Sequence, residues 1–214
     1  MQFAFTEEQH QFKDVVKRFL REKSPTTEVR RLMETDDGFD PVVWKQLSDE
    51  LALPSLIVPE NYGGAGFGFV ELSIVMEEMG HSLLCAPYFS SVVLAANAIL
   101  NVGTEKQKLD LLPQIASGSI RATLAVTESS GRWNAAAVEL VAETDGDEFT
   151  LQGEKCFVVD GHTAGKIVVV ARLEGSEGDD GISFFVVDGD APGLTKSLLK
   201  TVDPTRKLAR LEFN

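Results

Sequence analysis

Ile115-Ala116-Ser117-Gly118-Ser119-Ile120-Arg121-Ala122-Thr123-Leu124-Ala125-Val126-Thr127-Glu128 is the stretch where the chain changes its hydrophobic period. Upstream, apolar residues recur every three to four positions, the mark of helices with one buried face. Downstream they come in short β-branched runs broken by glycine and aspartate, the mark of strands and turns. The boundary at residue 120 predicts a helical domain over 1–119 and a small β-domain over 120–214. The fold class this implies is α+β: helices first, then an antiparallel β-barrel or sandwich.

Working back from the boundary, Thr104-Glu105-Lys106-Gln107 is a capping box that opens a helix ending near Gly118. The apolar run between Pro87 and Asn101 reads as a buried core helix, because it is shorter than the ~20 residues that cross a bilayer. Leu72, Val75, Met76 and Met79 mark another helix, closed by Gly80. The prolines and glycines of Leu53–Gly66 predict a loop. Asp40-Pro41 is an N-cap followed by a first-turn proline, and it opens a helix carrying Val43, Trp44, Leu47 and Leu51. A short helix around Val29, Leu32 and Met33 ends at Asp36-Asp37-Gly38. At the start, Thr6-Glu7-Glu8-Gln9 is a second capping box, and Phe12, Val15, Val16, Phe19 and Leu20 form one stripe before Ser24-Pro25.

Working forward, Asp145-Gly146 predicts a tight hairpin turn between Val138–Glu143 and Glu148–Gln152. Phe157–Val159, Ile167–Ala171, Ile182–Val187 and Leu208–Phe213 are further strand candidates. Glu174–Gly181 is an acidic, glycine-bearing hairpin loop expected at the surface.

Composition narrows the function. With 20 Lys and Arg against 33 Asp and Glu, the net charge is −13, which excludes binding to nucleic acid or anionic lipid by general electrostatics. Two cysteines, Cys85 and Cys156, are too few for a disulfide framework or a zinc site, so a reduced, cytoplasmic setting is expected. His10, His81 and His162 have no ligand spacing, and no metal is expected. The N-terminus lacks the basic start and apolar run of a signal peptide. No serine stands in a nucleophile elbow, so a hydrolase has no support.

Four segments, in order and in register, resemble the acyl-CoA dehydrogenase family. They are Val58-Pro59-Glu60-Asn61-Tyr62-Gly63-Gly64-Ala65-Gly66; Gly103-Thr104-Glu105-Lys106-Gln107-Lys108 with Leu112-Pro113 and Ala116-Ser117-Gly118; Leu124-Ala125-Val126-Thr127-Glu128; and Gly153-Glu154-Lys155-Cys156-Phe157-Val158-Val159-Asp160. The resemblance implies FAD as cofactor and α,β-dehydrogenation of an acyl-CoA thioester, with electron-transfer flavoprotein as electron acceptor and a homo- or hetero-oligomeric assembly. It implies flavin contacts at Leu124, Val126 and Thr127, an aromatic ring against the isoalloxazine at Phe157, and further contacts at Val158 and Val159. Arg206, in Thr201-Val202-Asp203-Pro204-Thr205-Arg206, would meet an FAD phosphate or a neighbouring subunit. A turn stabilised by an Asp–Arg pair is the competing reading.

Departures from the family pattern matter as much. After Glu128 the family usually continues Pro-x-Ala-Gly-Ser-Asp, a turn that touches flavin phosphate and the pantetheine arm; here it reads Ser129-Ser130-Gly131-Arg132-Trp133-Asn134. Ser130, Gly131, Arg132 and Trp133 are the substrate-side candidates, with Arg132 suited to a phosphate and Trp133 bulky where the family has a small residue. Valine 159 stands where the family often has a threonine. Glu128 follows in the family motif too, with a surface acid as the competing reading, and it has no catalytic role because the resemblance places the base elsewhere; the two cysteines are read as small buried hydrophobes. The resemblance places the catalytic carboxylate in a third, helical domain beyond Phe213-Asn214, so no base is named among these residues. Two readings follow: a dehydrogenase seen as its first two domains, or a non-catalytic or partner-dependent subunit of a heteromeric one.

Overall fold

A computed structural model describes residues 4–146 and 148–214. Six α-helices precede the first strand: α1 (Glu7–Lys23), α2 (Thr26–Met33), α3 (Pro41–Asp49), α4 (Phe69–His81), α5 (Asn97–Val102) and α6 (Glu105–Ala116). Both predicted capping boxes form, with Thr6 Oγ1 accepting from the Gln9 amide and Thr104 Oγ1 from the Gln107 amide. Asp40 caps α3 ahead of Pro41. The 53–66 loop contains two 3₁₀ turns, Leu53–Ser55 and Glu60–Tyr62. It folds back on itself so tightly that a Cβ on Gly64 would collide with the Val58 carbonyl. α4 runs one residue past Gly80, to His81.

The apolar run differs from the expected helix in its register. Phe89–Ala96 is π-helical and passes directly into α5. It also buries Ser90 and Ser91, each fully inaccessible. Both hydroxyls have partners across the chain. Ser90 Oγ donates to Asp160 Oδ2 (2.6 Å), while Ser91 Oγ donates to the Ala122 carbonyl (3.1 Å) and accepts from its amide (3.0 Å). Buried polar groups are tolerated where they are paired in this way.

Seven strands follow: β1 (Ala122–Ala125), β2 (Val141–Asp145), β3 (Glu148–Val159), β4 (Lys166–Leu173), β5 (Ile182–Asp188), β6 (Leu194–Leu198) and β7 (Leu208–Phe213). They form one curled sheet in the order β1-β4-β2-β3-β7-β6, with β5 on the other edge of β4. The β-domain follows the helices as read, but its sheet is mixed rather than wholly antiparallel. β1 and β2 both lie parallel to β4, at Lys166–Val169 and at Arg172–Leu173, because each runs in the same direction along one shared edge of that strand. β2 reaches Asp145, paired with Glu148, so the expected turn begins one residue later, at Gly146; Asp147 lies outside the described residues. β6 carries only a weak Leu-x-Lys-x-Leu alternation and was not expected.

β3 makes the sheet curl. Its first half pairs with β2 as far as Gln152, and its second half pairs with β7 from Gly153 onward. Gly153 at the corner has φ +134, and a Cβ there would press on Leu140. The two halves of the molecule share one apolar cluster, in which Ala95, Ala96, Leu112 and Ile115 of the helices meet Ala122 of β1 and Val168 of β4.

Candidate functional site

A cleft of about 390 Å³ opens where the π-helical segment faces the end of β1 and the second half of β3. Its walls are Phe89, Leu94, Leu124, Val126, Thr127, Trp133, Cys156, Phe157, Val158 and Val159. Six of the seven β-domain residues expected at FAD, all but Arg206, are therefore neighbours in space, and Trp133 joins them.

The geometry starts from a bulge. Lys155 pairs with Leu211 and Val158 with Ala209, so Cys156 and Phe157 together oppose the single residue Arg210. Phe157 takes φ +58, a left-handed conformation for a bulky side chain. The bulge turns its ring out of the strand, leaving it half-exposed on the cleft wall. Val158 behind it is buried, and the Val159 carbonyl accepts from Thr123 Oγ1 at 2.6 Å.

The Val126–Thr127 part of the lining is tied to β3 by hydrogen bonds through its carbonyls. The Thr127 carbonyl accepts the Cys156 amide (2.8 Å), and the Val126 carbonyl accepts from Lys155 Nζ (3.1 Å). Among the described residues, the amides of Val126 and Thr127 and the Thr127 hydroxyl have no hydrogen-bond partner. The cleft lining thus combines donors without a partner and an aromatic ring. Burial pushes the Cys156 thiol pKa above its ordinary value, which favours the thiol over the thiolate.

Glu128 is not at the surface. It is buried, with Lys155 Nζ at 2.6 Å from Oε1. The competing reading of a surface acid does not hold, because its partner Lys155 comes from β3, far along the chain. Beyond it, the turn is exposed: the Gly131 amide donates to the Glu128 carbonyl (2.9 Å) and the Arg132 amide to Ser130 Oγ (3.4 Å). Ser130, Gly131 and Arg132 stand outside the cleft lining, and only Trp133, 86% exposed, reaches it.

Arg206 is elsewhere. Its Nη1 donates to the carbonyls of Leu84 (3.0 Å) and Ala86 (3.4 Å), tying the β-domain to the helical half. Asp203 engages Thr205 through the amide (2.9 Å) and hydroxyl (2.6 Å), and these bonds lower its pKa. Phe89 and Leu94 were not singled out from sequence. Five residues apart, they fall on different faces of an α-helix and share one only in the π register. Among the described residues no group of His, Cys, Asp and Glu could hold a metal, and no helix is long and apolar enough to cross a membrane.

The family model for the acyl-CoA dehydrogenase N-terminal domain matches residues 6–119, and that for the acyl-CoA dehydrogenase middle domain matches residues 123–214. The chain belongs to the acyl-CoA dehydrogenase family. Among curated relatives, acryloyl-CoA reductase (NADH) of Anaerotignum propionicum is 30% identical over 199 residues, covering 91% of this chain and 50% of that protein. The probable acyl-CoA dehydrogenase YngJ of Bacillus subtilis is 30% identical over 200 residues, covering 91% and 51%. Among solved structures, the ChsE4-ChsE5 complex from Mycobacterium tuberculosis superimposes with a TM-score of 0.86 at 27% identity, covering 100% of this chain and 56% of that one. The chain spans about half the length of the acyl-CoA dehydrogenase relatives it matches.

Proposed function

We propose that the cleft holds the isoalloxazine of FAD and that the chain serves α,β-dehydrogenation of an acyl-CoA thioester. The observation that carries this reading is the division of the cleft. The Val126 and Thr127 carbonyls are engaged by β3, while their amides and the Thr127 hydroxyl are left for a ligand edge rich in acceptors. The Phe157 ring lines the same cleft, together with the apolar side chains of Leu124, Val158 and Val159. An acyl-CoA dehydrogenase from Bacillus anthracis, whose fold this chain shares, is complexed with FAD. When bound, FAD supplies the hydride-accepting chemistry that no side chain offers. This chain's own residues would bind and orient the ring and keep the cleft dry.

The α-proton needs a positioned base. No carboxylate of the described residues lines the cleft, and Glu128 is committed to Lys155, so the base is not assigned to this chain. Phe89 and Leu94 line the helical side, which suits an apolar acyl group. Division into domains at residue 119/120, a cytoplasmic location, electron-transfer flavoprotein as acceptor and an oligomeric assembly belong to the same proposal.

A second reading is favoured by one observation. Trp133 projects into the site from a turn where the family carries a small residue, which suits a subunit that needs a homologous partner to complete its site. The visible absorbance spectrum of the purified chain with excess FAD separates the two. A bound oxidised-flavin spectrum, bleached by an acyl-CoA, supports the dehydrogenase. A colourless chain that binds FAD only beside a second family member supports the partner-dependent subunit.

A further inference from the structure

Behind the cleft wall lies a charged pair that the chemistry above does not use. Lys155 has no solvent exposure, and its ammonium contacts Glu128 Oε1 at 2.6 Å. Burying a lysine at the centre of a strand carries a large desolvation penalty, and a methionine of similar length would fill the space without it. Burial does push the Lys155 ammonium pKa below its ordinary value, with the Glu128 hydrogen bond opposing the shift. Stability alone therefore gives little reason for the pair.

Its remaining contacts are all with the backbone. Lys155 Nζ also donates to the Val126 carbonyl (3.1 Å). Glu128 Oε2 accepts the Glu139 amide (2.8 Å), and Oε1 accepts the Leu140 amide (3.0 Å). Three segments meet here: the end of β1, the approach to β2, and the residue of β3 just before the bulge. Turning the Val126 carbonyl inward fixes the plane of the following peptide, and so the direction of the Thr127 N–H. Anchoring Lys155 fixes where the bulge begins, and so the direction of the Phe157 ring.

We propose that Glu128 and Lys155 are positioning residues that together hold the donor wall and the aromatic wall of the cleft in register. The proposal rests on the reading that the cleft takes a flavin, but its geometry can be tested without one. A purely structural pair makes a different prediction, because apolar replacement of both charges would then restore the site as well as the fold.

The test compares the full chain with Lys155→Met and with the double variant Lys155→Met/Glu128→Leu. Three things are read: thermal unfolding, an FAD titration with the positions of the flavin absorption bands, and exchange of the Cys156 amide, which bonds the Thr127 carbonyl, with Val169 as a control in the sheet. The single variant leaves a buried carboxylate without its partner and is expected to unfold readily, so the double variant carries the test. The double variant is expected to stay folded, to weaken FAD by about tenfold or more with shifted bands, and to speed exchange at Cys156 but not at Val169. A folded double variant with wild-type affinity, bands and exchange overturns the proposal. If the wild-type chain binds no FAD, the flavin reading fails and exchange alone decides. Faster exchange at Cys156 in the double variant then supports the positioning role, and unchanged exchange refutes it.

Discussion

Phe157 pays for its place in the cleft with backbone strain. A left-handed φ of +58 costs a non-glycine residue roughly 1 kcal/mol or more, and the β-sheet around the bulge imposes it. The usual order of alanine and glycine in a strand should therefore reverse here. Phe157→Gly is expected to be more stable than Phe157→Ala by about 1 kcal/mol in urea unfolding, while both lose flavin affinity. Equal stabilities would show that the bulge relaxes on truncation. Trp133 is the opposite case, since it is 86% exposed and its replacement removes almost no packing. Trp133→Ser is expected to leave the melting temperature nearly unchanged and to strengthen FAD binding, as a titration would show; weaker binding would make the tryptophan a ligand contact. The spacing of Phe157 after Lys155 was legible in the sequence, and so was the contrast at Trp133. The bulge was not, because it depends on how β7 pairs with β3, a contact more than fifty residues away along the chain.

At the scale of elements, the π-helical segment decides what the helical half presents to the cleft. Its apolar composition identified a buried helix, but an α period would have set Phe89 and Leu94 on different faces. Asn97 Nδ2 stabilises the altered register by donating to the Val93 carbonyl at 3.0 Å. Ser91 binds both backbone groups of Ala122 and acts as a substitute strand neighbour for the edge of β1. Ser91→Ala strands a buried amide and a buried carbonyl and is expected to cost about 2 kcal/mol or more in denaturant unfolding. A loss under about 0.5 kcal/mol would mean that water replaces the hydroxyl. Ser90 binds Asp160, whose carboxyl is pushed up from its ordinary value by burial, against the opposing effects of the Ser90 hydroxyl and Arg206. A carboxyl with a raised folded pKa stabilises the fold fully below its unfolded pKa of about 3.9, and loses that contribution as pH rises through the folded value. Asp160→Asn, which cannot ionise, should therefore gain melting temperature relative to the wild type between pH 3.5 and pH 7. A difference that does not move with pH would place the carboxyl's burial penalty elsewhere.

Across the whole molecule, the helical and β halves are joined by side chains that reach for backbone carbonyls. Lys207 Nζ donates to the Met33 carbonyl (2.7 Å), and Arg206 to those of Leu84 and Ala86. Such contacts leave no sequence pattern, because a carbonyl is available at every residue. This explains why Arg206 was legible as part of a motif while its role at the junction was not. It also separates two functions that the motif alone confounds. A guanidinium bound to a ligand phosphate would govern affinity, whereas one bound to the carbonyls that precede the π-helical segment governs how firmly that segment is held against the sheet. Arg206→Ala is expected to lower stability by about 1–2 kcal/mol, since the Leu84 carbonyl loses its charged donor, and to leave FAD affinity within about twofold. The paired measurement is a thermal melt and an FAD titration on the same preparation. A tenfold loss of affinity with an unchanged melt would return Arg206 to the ligand and remove it from the junction.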